Sequence, residues 1–161
     1  MAPKTNPDPP PAIELEIACA SWTRAEPAIE RLLGEAGALA LQGAHGTVSV
    51  LLAGDALVRE LNVRHRGKDR ATNVLSFPAP KAFPGRLGDV VLAFETIAAE
   101  AETQGKPFAD HARHLIVHGI LHLLGHDHAD AGEAERMEAR ERAILARLGV
   151  RDPYAEPLKE T

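Results

Sequence analysis

Ile13, Leu15 and Ile17 stand between Glu14, Glu16 and Ala18. That period of two predicts a strand with one wet face. Thr23 lies three residues before Glu26, the spacing of a capping box, and Ile29, Leu32, Leu33 and Ala36 follow at helical intervals, so a helix is predicted to open there. Residues 47–52 read as a β-branched strand, and Asp55 as the cap of a short helix that buries Leu57, Val58 and Leu61. A strand over 73–77 stops at Pro78, after which prolines and glycines make residues 78–88 a loop. Residues 89–94 are nearly all apolar, as in a strand buried on both faces. Three helices are predicted beyond it, over roughly 95–103, 107–124 and 131–148. The last opens on Asp130 and Glu133 in capping-box spacing and ends at Gly149.

These elements sum to one domain of four short strands and about five helices over residues 12–155, with no internal repeat. Residues 1–11, with prolines at 3, 7, 9, 10 and 11, read as a disordered tail, and 156–161 as a second tail. A length of 161 residues suits a single core, and 45% apolar residues rich in alanine exclude a disordered chain. The lone Cys19 excludes a disulfide framework or a cysteine-rich zinc module and fits a reducing compartment. No apolar run approaches a membrane span, so the expectation is a soluble, cytoplasmic protein with no membrane partner. A net charge of −5 means that any contact with nucleic acid must rest on a local patch.

Candidate chemistry is concentrated near the end of the chain, where five of the eight histidines fall between His114 and His128. Residues 115–124 are apolar on every side except at His118 and His122, which marks a buried helix. Four apart, these two imidazoles stack on one helix face and can converge on one ion. Gly125 can take the left-handed conformation that ends a helix, and His128, three residues on, can supply a third nitrogen. Three histidines and an open fourth position describe a catalytic rather than a structural zinc site. His126 competes with His128 for the third place, but a continuous helix would separate it from His118 by about 12 Å of rise. His114 and His111 read as hydrogen-bonding or core residues.

The spacing H-x3-H-x2-G-x2-H is also that of the metzincin peptidases, which carry glutamate directly after the first histidine as general base. Gly119 stands there in this chain, which argues against peptide hydrolysis. A second cluster runs from Arg59 to Arg70, where Arg59, Arg64, Arg66, Lys68 and Arg70 face only Glu60 and Asp69. Such a stretch suits a phosphate backbone, although a solvated surface face is an equal reading on charge alone. The charged residues of the last helix, Glu133, Glu135, Glu138 and Glu141 among arginines, read as a solvated face, with Met137, Ile144, Leu145 and Leu148 as the core stripe.

The run 118–128, His-Gly-Ile-Leu-His-Leu-Leu-Gly-His-Asp-His, resembles the signature of the YbeY family of bacterial rRNA maturation factors. So do Leu61-Asn62, Arg66-Gly67-Lys68-Asp69, the run 72–78, Leu87-Gly88-Asp89-Val90, and Leu148-Gly149 with Asp152-Pro153-Tyr154. The resemblance implies an α+β fold: a small mixed four-stranded sheet flanked by helices, with a zincin-like metal site on a buried helix. It implies one zinc per chain held by His118, His122 and His128, with Arg66 as the arginine beside the metal. Arg64, Arg66, Lys68 and Arg70 are then the expected RNA contacts. The implied activity is that of a metal-dependent, single-strand-specific endoribonuclease acting in 3′-end maturation of small-subunit rRNA and late ribosome quality control. Its expected partners are rRNA and the small ribosomal subunit with its proteins. His114, Asp127 and the ion's own water are the candidates for general base. The alternative reading is a non-catalytic ribosome-assembly factor with a structural zinc. Two positions depart from the family pattern: His126 and His65 stand where an aromatic residue is usual.

Overall fold

The computed structural model describes residues 12–68, 72–82, 85–126 and 130–155; the two predicted tails, 1–11 and 156–161, lie outside the described residues. The chain runs β1 (Ile13–Ile17), α1 (Ser21–Ala25), α2 (Ile29–Leu41), β2 (Thr47–Ala53), α3 (Asp55–Arg66), β3 (Val74–Pro78), β4 (Arg86–Ala93), α4 (Phe94–Gln104), α5 (Phe108–Leu123) and α6 (Ala131–Arg147). The strands form one mixed sheet in the order β1-β2-β4-β3. β1 and β4 run parallel to β2, and β3 returns antiparallel along β4. The expected α+β architecture is therefore present, with six helices among the described residues rather than about five.

The extra helix arises at Pro27. The residue before a proline is driven out of the helical region, and Glu26 accordingly sits at φ −149°, ψ 102°. Thr23 is thus inside α1 rather than capping a longer helix. The Glu26 carboxylate instead accepts from the Ala28 amide at 3.1 Å, at the start of α2. Asp55 likewise differs from its expected role. Gly54 is the N-cap of α3, and the Asp55 carboxylate reaches across to α4, accepting from the amide of Thr96 at 3.0 Å and its hydroxyl at 2.8 Å. Glu95 of α4 returns the arrangement by accepting from the Asp55 amide at 2.7 Å. Each helix thereby supplies a carboxylate to the unsatisfied donors of the other.

β4 begins three residues earlier than the apolar run suggests, because Arg86 pairs opposite Thr47 and Gly88 opposite Val48. Burial on both faces holds for Val90 to Ala93, while Asp89 is exposed. Phe94 leaves the strand to begin α4. Its ring meets Trp22 and Phe108 with centroids 5.6 and 5.3 Å away, and the Trp22 indole N–H donates to the Ala53 carbonyl at 2.9 Å. This cluster ties α1 to the starts of α4 and α5.

Val48, Val50, Leu52, Val90 and Leu92 form one face of the sheet and share a core with Leu33, Ile116, Ile120, Leu121 and Ile144. On the other face Val58 of α3 packs with Ala53, Leu75, Val91 and Ala93. α5 lies against β3 and β4 and also touches α2, α4 and α6. Eight of its residues are buried, from His111 to Leu121, so the all-round apolar pattern correctly marks a central helix.

Candidate metal centre

α5 presents His118 and His122 one turn apart, with their Nε2 atoms 3.2 Å from each other. Two nitrogens on a tetrahedral zinc, at bond lengths of about 2.0–2.1 Å, stand about 3.3 Å apart. The pair therefore has the separation that a shared ion requires. α5 stops directly after them. Gly125 takes φ 96°, its amide bonds to the His122 carbonyl at 3.1 Å, and the His126 amide bonds to the Leu121 carbonyl at 3.0 Å. The turn closes the last helical carbonyls and leads the chain off the helix axis before His126. His128 and Asp127 lie outside the described residues.

Behind the pair stands Glu141 of α6, with no exposed surface. Its Oε1 accepts from Nδ1 of His118 at 2.5 Å. Its Oε2 accepts from the hydroxyl of Tyr154 and lies 3.4 Å from Nε2 of His114. Burial alone would raise the pKa of this carboxyl, but the bonds from His114, His118 and Tyr154 outweigh it and hold it down to about 2. Glu141 is therefore an anion at neutral pH, which makes it an acceptor only. Nδ1 of His118 is therefore the donor in this bond, which in the neutral imidazole leaves the lone pair on Nε2, facing His122. A carboxylate behind a ligating imidazole fixes tautomer and ring orientation in this way. Burial and the Glu141 charge both push the Tyr154 hydroxyl pKa well up, so it stays protonated and donates.

His114, His118 and Glu141 also form a group whose donor atoms lie within 4.8 Å of one another, a set that could hold a metal ion. Both carboxylate oxygens of Glu141 are already engaged, however, and the residue is enclosed. His118 is 22% exposed at its side chain, on the more open side of the cluster. The arrangement fits an ion at the His118–His122 side with Glu141 behind it.

The reading of Glu141 as part of a solvated face is overturned. Met137, Glu141, Ile144 and Leu145 are all buried, and their spacing of four, three and one puts the glutamate on the core stripe of α6. That spacing was the available signal. Arg142, next in sequence, does face outward, and pairs with Asp152 at 3.2 Å. His111 is 4% exposed and bonded to Glu100 at 3.0 Å, on the far side of His114 from the pair. His114 is held by Glu141 and Tyr154.

Gly119 faces the sheet. A Cβ there would meet Val90 Cγ1 at 2.9 Å and Ser76 Oγ at 3.1 Å. A side chain at this position would have to displace those of Val90 and Ser76, which accounts structurally for the missing peptidase base. Ser76 donates to the Gly119 carbonyl at 3.1 Å, and the carbonyl of Ser76 accepts from the Arg66 guanidinium at 3.4 Å. Arg66, at the end of α3, is thus linked to the histidine helix through a single residue of β3.

The sequence model of the family Endoribonuclease YbeY matches residues 16–149 of the chain. The chain belongs to the endoribonuclease YbeY family. It is 51% identical over 157 residues to the endoribonuclease YbeY of Paramagnetospirillum magneticum, covering 89% of this chain and 96% of that protein. It is 46% identical over 157 residues to the endoribonuclease YbeY of Methylocella silvestris, covering 92% and 88%. The solution structure of a target protein from Thermotoga maritima shares the fold, with a TM-score of 0.56 at 21% identity over 92% of this chain and 99% of that one.

Of the basic segment that resembles YbeY proteins, Arg64 is paired with Glu60 at 2.6 Å on the same helix face. Arg66 and Lys68 are exposed, and Arg70 lies outside the described residues. Gly67, at φ 67°, ends α3 between them. Three basic side chains in that last turn also complement the helix dipole, so part of the charge has a structural use. His65, one of the two departures from the YbeY pattern, packs on Phe77 with ring centroids 5.0 Å apart. Among the described residues no helix is long and apolar enough to cross a membrane.

Proposed function

We propose that this protein is a zinc-dependent endoribonuclease that cuts single-stranded RNA, acting in 3′-end maturation of small-subunit rRNA and ribosome quality control. The observation that carries the reading is the 3.2 Å approach of two Nε2 atoms whose partner Nδ1, on His118, is committed to a buried carboxylate. His118 and His122 would hold the ion, with His128 as the third ligand and one ion per chain. When bound, the ion supplies a Lewis acid for the phosphodiester. The work of the chain is to orient and to bind. Glu141 keeps the His118 lone pair on the ion side, and Gly119 lets the histidine helix lie close on β3 and β4. Arg66 offers a planar fork to phosphate oxygens and stabilises the charge that grows on them. Lys68 and Arg70 extend that contact along the backbone, and Arg64 joins them by exchanging Glu60 for phosphate. His114 reads better as a companion of Glu141 and Tyr154, which its Nε2 faces, than as the general base, since its Nδ1 is buried.

The test is cleavage of end-labelled single-stranded RNA by the purified protein beside His122→Ala, with circular dichroism on both. Cleavage by the parent, abolished by a chelator and absent from a folded His122→Ala, is the expected result. Equal cleavage by both proteins would assign the activity to a contaminant and favour the ribosome-assembly reading. A double-stranded version of the same RNA should remain intact.

A further inference from the structure

We propose that Tyr154 is a positioning residue for the histidine pair: its hydroxyl holds Glu141 in place as the outer partner of His118. The proposal rests on the metal-site reading above. The Glu141 carboxylate bonds to His118 through Oε1. How well that bond is aligned depends on the second oxygen. Oε2 accepts from the Tyr154 hydroxyl, and its other neighbour, Nε2 of His114, stands 3.4 Å away. Remove the hydroxyl and Oε2 is restrained only by the long contact to His114, so the carboxylate can turn on its last torsion and spoil its alignment with His118. Oε2 then loses its hydroxyl donor, and a buried anion left short of donors is costly.

Tyr154 belongs to none of the ten elements, yet its place is over-determined. Its amide donates to Asp152 Oδ1 at 2.8 Å, closing a local turn. Asp152 is paired with Arg142 of α6 at 3.2 Å, and the same guanidinium lies over the Tyr154 ring, 5.4 Å from its centroid. Val150, 7% exposed, anchors the segment in the core, and Lys106 Nζ donates to the Pro153 carbonyl at 3.5 Å. The phenol meets His114 edge-on at 5.4 Å. An exposed clasp of arginine and aspartate thus delivers one hydroxyl to one buried oxygen, two bonds removed from the ion side of His118.

The experiment is a metal titration of the whole chain without RNA. Metal-depleted parent, Tyr154→Phe and His118→Ala are titrated with Zn2+ against a competing chelator, and with Co2+ for the absorption spectrum of the bound ion. Tyr154→Phe should bind metal up to about 10-fold more weakly than the parent, the low end of the loss seen when the outer partner itself is removed, with a changed cobalt spectrum. The melting temperature of its metal-free form should stay near that of the parent, since the ring and its packing remain. Asp152→Asn, which weakens the clasp and leaves the hydroxyl, should show a smaller loss in the same direction and serves if Tyr154→Phe folds poorly. Unchanged affinity and spectrum in Tyr154→Phe would overturn the proposal while leaving the metal site intact. Unchanged affinity in His118→Ala would overturn the metal-site reading itself.

Discussion

Ser76 donates its hydroxyl to the carbonyl of Gly119 at 3.1 Å, and this contact sets how closely the histidine helix approaches the sheet. Because a Cβ at 119 would lie 2.9 Å from Val90, Gly119→Ala is expected to destabilise the protein by roughly 1–3 kcal/mol, the usual cost of overfilling a packed interior. Urea unfolding measures it. Gly119→Glu should fail to fold natively by circular dichroism and should gain no peptide-cleaving activity. A well-folded Gly119→Glu would show that the helix can lift from β3 at little cost.

Arg66 is exposed and makes one long bond to a backbone carbonyl, so it contributes little to stability. Arg66→Ala should therefore melt within a few degrees of the parent but cleave RNA about 10²- to 10³-fold more slowly, the scale for losing a group that meets developing charge. Arg66→Lys should recover little of that, since an ammonium lacks the planar fork. A parallel loss of melting temperature and activity would instead make Arg66 a structural cap on β3.

Asp55 and Glu95 bind each other's helix starts, so each removal leaves donors of the other helix unsatisfied. Asp55→Ala and Glu95→Ala should each cost about 1–2 kcal/mol in chemical unfolding, the range of a lost N-cap. Neither should change metal affinity, because their bonds join the starts of α3 and α4 and involve none of the histidines or Glu141. Costs near zero would mean that water replaces the carboxylates.

Burial holds the pKa of His111 below its ordinary 6.5, against the upward pull of its bond to Glu100. The unfolded chain therefore takes up this proton at a higher pH than the folded one. The stability that the neutral form supports is complete above pH 6.5 and falls as the pH drops through the lower folded value. Between about pH 7.5 and about pH 5.5, the urea midpoint of the parent should fall more steeply than that of His111→Gln. Identical slopes would assign the acid sensitivity to other groups.

The elements themselves were legible where pattern and local chemistry agree. The alternation around Leu15, the all-round apolar run of α5 and the Asp130 cap, which accepts from the Glu133 amide at 2.8 Å, all stand as the residues suggest. Where a local rule met a stronger one, it lost. The Thr23–Glu26 spacing yielded to Pro27, and Asp55 turned from its own helix to Thr96 because α4 starts beside it. The pairing of His118 with His122 follows from helix geometry alone and was therefore readable. Glu141 was not read, because a glutamate among arginines suggests solvent even when its spacing matches Met137 and Leu145. Tyr154 carries no periodic signal: its role depends on a turn at Asp152 and on contact between segments far apart in the chain.

The position of α5 in the chain also has a consequence for synthesis. All four strands precede residue 108, but the helix that covers Val90 and Leu92 follows them, and α6 follows that. A nascent chain ending at α4 holds a complete set of sheet-forming segments without the helix that packs on β3 and β4, a state open to wrong pairings at the β1 and β3 edges. Much of the core is formed between distant parts of the sequence, which favours slow folding over fast local collapse. The native sheet is thus secured only when the last third of the chain has left the ribosome, and the helix that brings the histidines is the one that closes it.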